Sequence, residues 1–424
     1  MKILFIACYS PLINNSAAIE TLQYLNKLSE IPENQIYLLT VNFPVNSIYY
    51  DKELESLMNK NIKVYKIDGG KLFNRMVPRV SDKKQTSSNP NNKRIIKVLR
   101  KLKNSFVIPD MYISWANEAA KTGIELNKTV KFDVMFSMHE PPSSHICAYK
   151  IKKAFPDLKW ITYWSDPWLK DSTRENSFII KKIIEAKMEK NIVDLSDKFI
   201  FVTEQNRQDY INTYNLERDK TYLVTRGYDQ KLYDEILSNQ KPDLIKKDKI
   251  NIIYAGEIFS KLRDINPFIE AVNQIKKENY SEFQKMNILF FGNIDDSIAK
   301  KNLEKIENAK VFGRISFNKA LGFMLNSEIL LLFGNKNSNQ VPAKVYEYLG
   351  AKGSILTIYG DENDPLKQIV SDNQVCYNTL NQKENIKNTL LTLLRKDKKE
   401  LLREPDSRYE WQNIVIRLNK ILGD

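Results

Sequence analysis

The sequence predicts an α/β protein of two domains, each built around a parallel sheet. Its 424 residues exceed what one ordinary core needs, and this length favours two domains of about 200 residues each. Short apolar runs bounded by turn residues alternate with amphipathic stretches, which is the pattern of strands and helices in a parallel sheet. The series stops at a polar segment and then begins afresh, which indicates the second domain.

The predicted strands fall into two groups, separated by the polar segment 237–249, which is the predicted interdomain linker. The first group comprises 3–9, 35–41, 64–67, 134–137, 160–163, 199–202 and 222–224, and the second comprises 250–254, 287–291, 310–312, 329–333 and 354–358. A closing helix is predicted over 406–424, with Asp406 or Ser407 as its N-cap. The predicted domains are therefore residues 1–240, together with this helix, and residues 250–400.

Composition excludes several classes of protein. The three cysteines, Cys8, Cys147 and Cys376, are widely separated and form no Cys-x-x-Cys, so we expect neither a disulfide framework nor a zinc site, and a reducing cytoplasm fits best. No stretch approaches the roughly 20 apolar residues that a membrane-spanning helix needs. We therefore predict a cytoplasmic protein whose membrane contact, if it has one, is peripheral.

The formal charge of +13 favours polyanionic partners such as nucleotide diphosphates, anionic lipid or nucleic acid. A lysine-rich solubilising surface explains the same surplus. No helix-turn-helix, ribonucleoprotein or zinc-finger pattern occurs, so we expect no nucleic-acid partner.

An insert at 70–109 interrupts the first series and contains a basic amphipathic segment, 93–103. Its apolar residues alternate with lysine and arginine, as in a helix that lies on an anionic membrane. The alternative interpretation packs the apolar side on the domain and leaves the lysines in water.

The most informative stretch is 339–356, which contains Val341-Pro342-Ala343-Lys344 and Glu347. Pro342 suits the first turn of a helix, so backbone N–H groups around it would be available to bind phosphate. Lys344 would add positive charge there. Glu347 can accept hydrogen bonds from sugar or ribose hydroxyls, or can be a solvated helix residue.

This stretch resembles the Val-Pro-Gly-Lys-x-x-Glu-Tyr-Leu-Ala segment of family 4 retaining glycosyltransferases. The resemblance implies the GT-B fold, in which two Rossmann-like domains with parallel sheets face each other across a cleft. It also implies that Glu347 holds the donor ribose and that residues 341–343 line the donor. The family's first glutamate is replaced by Asn339, whose amide can still hydrogen-bond to the donor sugar.

Two further segments of the second half resemble donor-binding segments of the same family. In 254–263, the Gly256 turn lets backbone approach a ligand, and Arg263 can grip the diphosphate, with Lys261 or Lys344 as the second cation. The segment 311–316 resembles the loop whose backbone reads the nucleobase, which assigns Arg314 and Ile315 to the donor.

In the first half, 133–145 resembles the family's strand that ends in His-Glu-Pro, where the histidine contacts the transferred sugar. This assigns His139 to the sugar and Glu140 to the acceptor side, although a lone histidine is more often structural, as we expect for His145. Asp166, in the Asp-Pro-Trp turn after the next predicted strand, either caps that turn or touches the acceptor.

The loop after the first strand departs from the family, which has paired glycines near the donor phosphates. Here Asn14 and Asn15 tolerate positive φ, and Ser16 is small enough to begin a helix and approach the donor.

Together these features predict a metal-independent retaining glycosyltransferase whose catalytic residues are His139, Arg263 and Lys344. The sequence contains no Asp-x-Asp or histidine cluster, so positive side chains would stabilise the departing diphosphate. We expect a UDP- or GDP-sugar as donor substrate, no cofactor, a glycan or lipid-linked acceptor, and a role in bacterial cell-surface polysaccharide synthesis, such as capsule or lipopolysaccharide. The alternative is a non-catalytic subunit that binds nucleotide or glycan.

Overall fold

The computed structural model describes residues 1–9, 11, 13–79, 107–139, 141–170, 178–239, 242–337, 340–371, 373 and 376–424. These residues form two compact units. The first unit contains Met1–Thr225 and Ile414–Asp424, and the second contains Arg226–Asn413.

The first unit is built on a seven-stranded sheet with the order β3-β2-β1-β4-β5-β6-β7. Its strands are β1 (Lys2–Ile6), β2 (Gln35–Val41), β3 (Lys63–Ile67), β4 (Val134–His139), β5 (Lys159–Trp164), β6 (Lys198–Phe201) and β7 (Thr221–Leu223). Every pairing between them is parallel. The central strands are buried on both faces, so their sequences are nearly continuous runs of apolar residues.

The helices of the first unit connect these strands. They are α1 (Ser16–Ser29), α2 (Lys52–Ser56), α3 (Gly70–Met76), α4 (Ile113–Val130), α5 (Ser143–Ala154), α6 (Ile179–Leu195) and α7 (Glu204–Tyr214). Side-chain caps fix several of their starts: Asn15 accepts a hydrogen bond from the Ala18 amide at 2.7 Å, and Thr203 accepts one from the Asn206 amide at 3.2 Å.

The second unit is built on a six-stranded parallel sheet with the order β10-β9-β8-β11-β12-β13. Its strands are β8 (Ile250–Ala255), β9 (Met286–Phe291), β10 (Ala309–Phe312), β11 (Ile329–Phe333), β12 (Ser354–Tyr359) and β13 (Cys376–Leu380). Its helices are α8 (Gln230–Asn239), α9 (Asn266–Glu278), α10 (Tyr280–Gln284), α11 (Ser297–Glu304), α12 (Phe317–Leu325), α13 (Lys344–Leu349), α14 (Lys367–Val370) and α15 (Lys383–Leu394).

The predicted α/β class with two parallel sheets is confirmed. Each predicted strand corresponds to an observed one, with shifts of a few residues at the ends. β13 was not predicted, because this strand lies at the edge of its sheet and most of its residues are partly exposed, so it lacks an apolar run.

The boundary between the two units lies earlier in the chain than the predicted linker at 237–249. Residues 226–239 belong to the second unit. The hydroxyl of Tyr233 donates to the Glu347 carbonyl at 3.1 Å, and a Cβ added to Gly350 would lie 2.0 Å from the Tyr228 ring. These contacts tie the segment after Thr225 to the second unit.

The closing helix, α16, spans Trp411–Gly423 and begins later than predicted. Asp406 accepts a hydrogen bond from the Arg408 amide at 3.2 Å and so caps a separate 3-10 turn, Ser407–Tyr409, instead of the helix. Residues 414–424 belong to the first unit, where the Asn34 side chain donates to the Asn419 side chain at 2.8 Å.

The predicted basic segment 93–103 lies outside the described residues. Within the part of the chain that the structure describes, no helix is both long and apolar enough to cross a membrane.

Candidate functional site

The strand order of each sheet fixes where a ligand would bind. In the second unit, successive connections run outward from β8 in one direction and from β11 in the other, so the loops after these neighbouring strands diverge at the carboxyl edge. Ligands of such sheets bind at this switch point. The first unit has the equivalent point between β1 and β4.

Arg263 lies in the loop after β8 and is held by the loop after β11. Its Nε donates to Asn335 Oδ1 at 2.9 Å, and its Nη1 donates to the Glu257 carbonyl at 2.9 Å. The backbone joins the same loops, since the Lys336 amide donates to the Leu262 carbonyl at 2.8 Å. The half-buried guanidinium is therefore positioned before any anion arrives, as electrostatic stabilisation of a developing charge requires.

Asn335 is a residue of this site that the sequence analysis missed. It is buried, and its Nδ2 donates to the Gln340 carbonyl at 2.8 Å while its Oδ1 receives Arg263. Asn335 thereby connects Arg263 to the chain that leads into 341–347. The sequence could have indicated Asn335, because it comes two residues after a predicted strand and directly follows Gly334.

Asp364, which was also missed, holds the loop that follows β12. Its two carboxylate oxygens accept from the Gly360 and Leu366 amides, each at 2.9 Å. Burial raises the pKa of Asp364, and these backbone hydrogen bonds oppose that shift. A Cβ added to Gly334 would lie 1.8 Å from Asp364 Oδ2, so the glycine is what allows the two loops to pack this closely.

Lys344 and Glu347 form an ion pair in α13, with Nζ 2.5 Å from Oε2. The two side chains therefore partly neutralise each other's charge. A bound nucleotide sugar would have to share hydrogen bonds with this ion pair. α13 lies beside the end of β8: Tyr348 is buried next to Tyr254 and the Ala255 backbone, and this burial raises the pKa of its hydroxyl.

The sequence predicts Pro342 in the first turn of a helix, but in the structure it lies before the first turn of α13. The helix begins at Lys344 and has only six residues, and the buried Pro342 precedes its N-cap, Ala343. The Pro342 carbonyl accepts from the Val345 amide at 3.1 Å, so the chain enters α13 through a tight turn. Val341 and Ala343 flank Pro342 and are both half-buried.

Arg314 reaches from the loop after β10 to the loop after β8, where its Nη2 lies 2.8 Å from Glu257 Oε1. Glu257 was not singled out by the sequence analysis, yet its side chain holds Arg314 and its carbonyl holds Arg263. Nearby, the Gly256 amide donates to the Phe291 carbonyl at 2.9 Å, Lys261 is exposed, and Ile315 is half-buried.

Gly256, Lys261, Arg263, Arg314 and Ile315 thus lie on loops that follow strands of the second sheet, and Lys344 and Glu347 lie in α13, which comes after the loop that follows β11. His139, Asp166 and Ser16 belong to the first unit. Asn339 and Glu140 lie outside the described residues.

His139 is the last residue of β4 and is buried. Its ring stacks on the Trp164 ring, with centroids 5.7 Å apart and an interplanar angle of 27°. The Ser165 hydroxyl donates to the His139 carbonyl at 2.8 Å, which joins the ends of β4 and β5. The half-buried Asp166 follows directly.

His145 is fully buried in α5 and fits the structural interpretation. Trp160 Nε1 donates to Ser137 Oγ at 2.8 Å, so the serine hydroxyl is left to donate to His145 Nδ1, also at 2.8 Å. Burial lowers the pKa of His145 to about 3, which keeps the ring neutral near pH 7.

Ser16 is exposed and begins α1, the helix after β1, as its small size suggested. Asn15 does not use positive φ: its φ is −139°, and it serves as the N-cap of α1. Asn14 and Asn15 therefore lead into the helix without the left-handed conformation that their residue type allows.

Within the described ranges, no three His, Cys, Asp or Glu side chains lie close enough together to hold a metal ion.

The carboxyl group of Glu189, in α6, should make the stability of the first unit depend on pH. Burial raises its pKa from 4.5 to about 7, against hydrogen bonds from Tyr210 and Tyr214 that lower it. Between these two values the folded chain binds more protons than the unfolded chain, so stability falls as the pH rises from about 4.5 to about 7.

We expect the melting temperature of the wild type to fall by several degrees across this window relative to Glu189→Gln, which stays neutral. Titration of His145 affects both proteins equally, so it cancels in the difference. Parallel curves for the two proteins would show that Glu189 is ionised in the folded state.

No protein-family model matches the sequence, and no curated protein matches it. The structure, however, is similar along its whole length to solved structures. Sucrose-phosphate synthase from Thermosynechococcus elongatus superimposes with a TM-score of 0.62 at 11% identity, covering 99% of this chain and 98% of that one. A glycosyltransferase from Rickettsia africae gives 0.61 at 14% identity, covering 99% and 97%.

A putative UDP-N-acetylglucosamine 2-epimerase from Listeria monocytogenes is similar to the same extent, with a TM-score of 0.60 at 12% identity, covering 99% of this chain and 94% of that one. At these identities the likeness is one of fold. It confirms the predicted GT-B class, with two Rossmann-like domains. By their names, these structures with the same fold are a synthase, a glycosyltransferase and a putative UDP-N-acetylglucosamine 2-epimerase.

Proposed function

We propose that the protein is a retaining glycosyltransferase that moves a sugar from a UDP- or GDP-linked donor to a glycan or lipid-linked acceptor. The observation that carries the proposal is the fixed guanidinium of Arg263 at the switch point of the second sheet. The similarity of 339–356 to family 4 enzymes and the fold of the structural neighbours support it further.

In this proposal the second unit binds the donor. Arg263 contacts the diphosphate, with Lys344 and Lys261 as additional cations, and Gly256 leaves room for the ligand beside the backbone. Glu347 accepts hydrogen bonds from the ribose through the oxygen that Lys344 does not hold. Arg314 and Ile315 lie at the nucleobase, and Asn339 and 341–343 lie along the donor sugar.

The first unit binds the acceptor, with Glu140 and Asp166 on the acceptor side, and contacts the donor through Ser16 and its transferred sugar through His139. In the reaction, the bond between the anomeric carbon and the phosphate oxygen breaks, and its electron pair leaves with the diphosphate. The acceptor oxygen bonds to the same face of that carbon, and its proton passes to the departing phosphate. Arg263 and Lys344 stabilise the negative charge that develops, without a metal ion.

The same proposal assigns the enzyme to the cytoplasm and to bacterial cell-surface polysaccharide synthesis, where lipid-linked acceptors are used. It rests on the family resemblance and on the absence of a helix able to cross a membrane among the described residues.

The proposal is tested by screening nucleotide sugars for thermal stabilisation and then supplying the stabilising donor with a bacterial lipid extract, in the presence and absence of EDTA. Because a ligand that binds only the folded state raises the melting temperature, the screen identifies the donor without an assay for its product. We expect EDTA-resistant transfer to the lipid fraction, with the donor's anomeric configuration retained in the product by NMR.

Sugar-nucleotide 2-epimerisation is the second candidate, because the Listeria monocytogenes structure matches the whole chain equally well. It would appear as a donor epimerised at C2 without any acceptor. Donor binding without transfer or epimerisation would instead indicate the non-catalytic subunit.

A further inference from the structure

The first half of α6 exposes an apolar surface. Five large apolar side chains at the start of this helix are between 40% and 76% exposed: Phe178, Ile179, Ile180, Ile183 and Ile184. Ile179 and Ile183 are four residues apart, as are Ile180 and Ile184, so the isoleucines lie together on one side of the helix. We call these five residues the α6 apolar face.

The first part of α6 departs from the usual arrangement of an amphipathic helix, which buries its apolar side. Between Ile179 and Lys190 the buried side chains are the carboxylates of Glu185 and Glu189, and the buried apolar residues, Ile192 and Val193, come nearer the end of the helix. The Glu189 carboxylate accepts from the Tyr214 hydroxyl at 3.0 Å, and Glu185 lies 3.8 Å from Lys181 Nζ. The first part of α6 therefore buries two acids, while its four isoleucines there face outward.

The exposed charges beside the α6 apolar face are positive. Within 178–190 the sequence has two acids, Glu185 and Glu189, and both are buried. Lys182 and Lys187 are exposed on the same stretch of helix, whereas Lys190 pairs with Asp194 at 2.7 Å. Apolar side chains flanked by lysines form the pattern that inserts into the interface of an anionic bilayer while the lysines meet lipid headgroups.

The positive charge of the exposed lysines favours binding to an anionic bilayer over contact with a second copy of this chain. Two copies that met through the α6 apolar face would bring Lys182 and Lys187 of both chains together, and the repulsion would weaken the contact. A surface of anionic lipid attracts all of them at once.

Lys181, in the first turn of α6, contacts a residue near the end of the insert 70–109. Its Nζ donates to the Val107 carbonyl at 2.7 Å, and in the sequence Val107 comes four residues after the basic amphipathic segment 93–103.

We propose that the α6 apolar face docks the first unit on an anionic lipid bilayer. Phe178 and the four isoleucines enter the interface, and Lys182 and Lys187 bind the headgroups. This inference does not depend on the proposed transfer reaction, because lipid binding needs neither donor nor acceptor.

Vesicle co-sedimentation of the full chain tests the proposal. The vesicles contain phosphatidylcholine alone, or phosphatidylcholine with roughly one-third phosphatidylglycerol to supply negative charge. We expect the wild type to bind the anionic vesicles, and Ile179→Ser/Ile183→Ser to lower the binding about tenfold or more, because two inserted side chains become polar. Lys182→Glu/Lys187→Glu should remove the preference for anionic lipid.

Ile298→Ser is the matched control. Ile298 is an isoleucine that is 69% exposed in α11 of the second unit, so its replacement should leave vesicle binding unchanged. All the altered side chains are exposed, and unchanged circular dichroism and melting temperature would confirm that each variant folds.

Undiminished binding of Ile179→Ser/Ile183→Ser to anionic vesicles would overturn the proposal. So would a wild type that binds no vesicles, or one that is dimeric by light scattering and becomes monomeric with this double substitution. Loss of transfer activity with vesicle binding intact would instead count against the proposed function.

Discussion

Replacing Arg263 by alanine should lower the turnover of sugar transfer by about 100- to 1,000-fold, the usual effect of removing one preorganised group that stabilises developing charge. The guanidinium is fixed by Asn335 and by the Glu257 carbonyl before the donor binds, so little of its stabilising effect is lost to reorganisation. The measurement is kcat with the donor identified by thermal stabilisation.

Two further variants show whether geometry or charge matters. Arg263→Lys keeps the positive charge but cannot hold Asn335 and the Glu257 carbonyl together while also gripping a diphosphate, so most of the loss should remain. Arg395→Ala removes an exposed arginine of the same unit and should leave kcat unchanged. A kcat for Arg263→Ala within a factor of two of the wild type would contradict the assigned role.

Replacing Gly292 by alanine should destabilise the second unit by about 3 kcal/mol. Gly292 follows β9 with φ of +122°, a conformation that an L side chain rarely adopts, and a Cβ there would lie 2.0 Å from the Gly256 carbonyl oxygen. The oxygen belongs to backbone at the end of β8, so it cannot yield without moving the loop that carries Arg263. Donor affinity should therefore fall together with stability.

Gly313→Ala is the control for this prediction. Gly313 lies on the next strand end, and an added Cβ there meets no atom within 4 Å. Its replacement should change stability by less than about 0.5 kcal/mol. Urea unfolding, followed by circular dichroism, compares the two variants, and equal midpoints would show that the backbone after β9 accommodates a side chain.

The sequence predicts strands best where burial is complete. β1, β4, β8 and β11 lie inside their sheets and consist of apolar runs, so periodicity and turn residues locate them. β13 lies at an edge and is half-exposed, so its sequence resembles a loop. The boundary between the units was predicted too late in the chain. The side chains of Tyr228 and Tyr233 attach their segment to the second unit by packing on α13 and on Gly350, which lie far along the chain and are not visible from local sequence.

Only the candidate site residues that belong to local sequence motifs could be predicted from the sequence. A glycine after a strand and a nearby arginine led to the prediction of Gly256 and Arg263, and the Pro-x-Lys pattern led to the prediction of Lys344 and Glu347. Asn335 and Glu257 act through long-range hydrogen bonds to Arg263 and Arg314, and Asp364 acts through its close approach to Gly334. Nothing in the spacing of those residues shows that the loops after β8, β11 and β12 meet.

The closing helix has a consequence for how the polypeptide is made. Ile414, Val415, Leu418, Ile421 and Leu422 are buried in the first unit, although the ribosome adds them only after the whole second unit has been translated. The amino-terminal half of the nascent chain must therefore wait with this part of its core uncovered, in a state open to aggregation or chaperone binding. Expression of residues 1–225 alone should for that reason yield an unstable fragment, whereas the full chain can complete both of its cores.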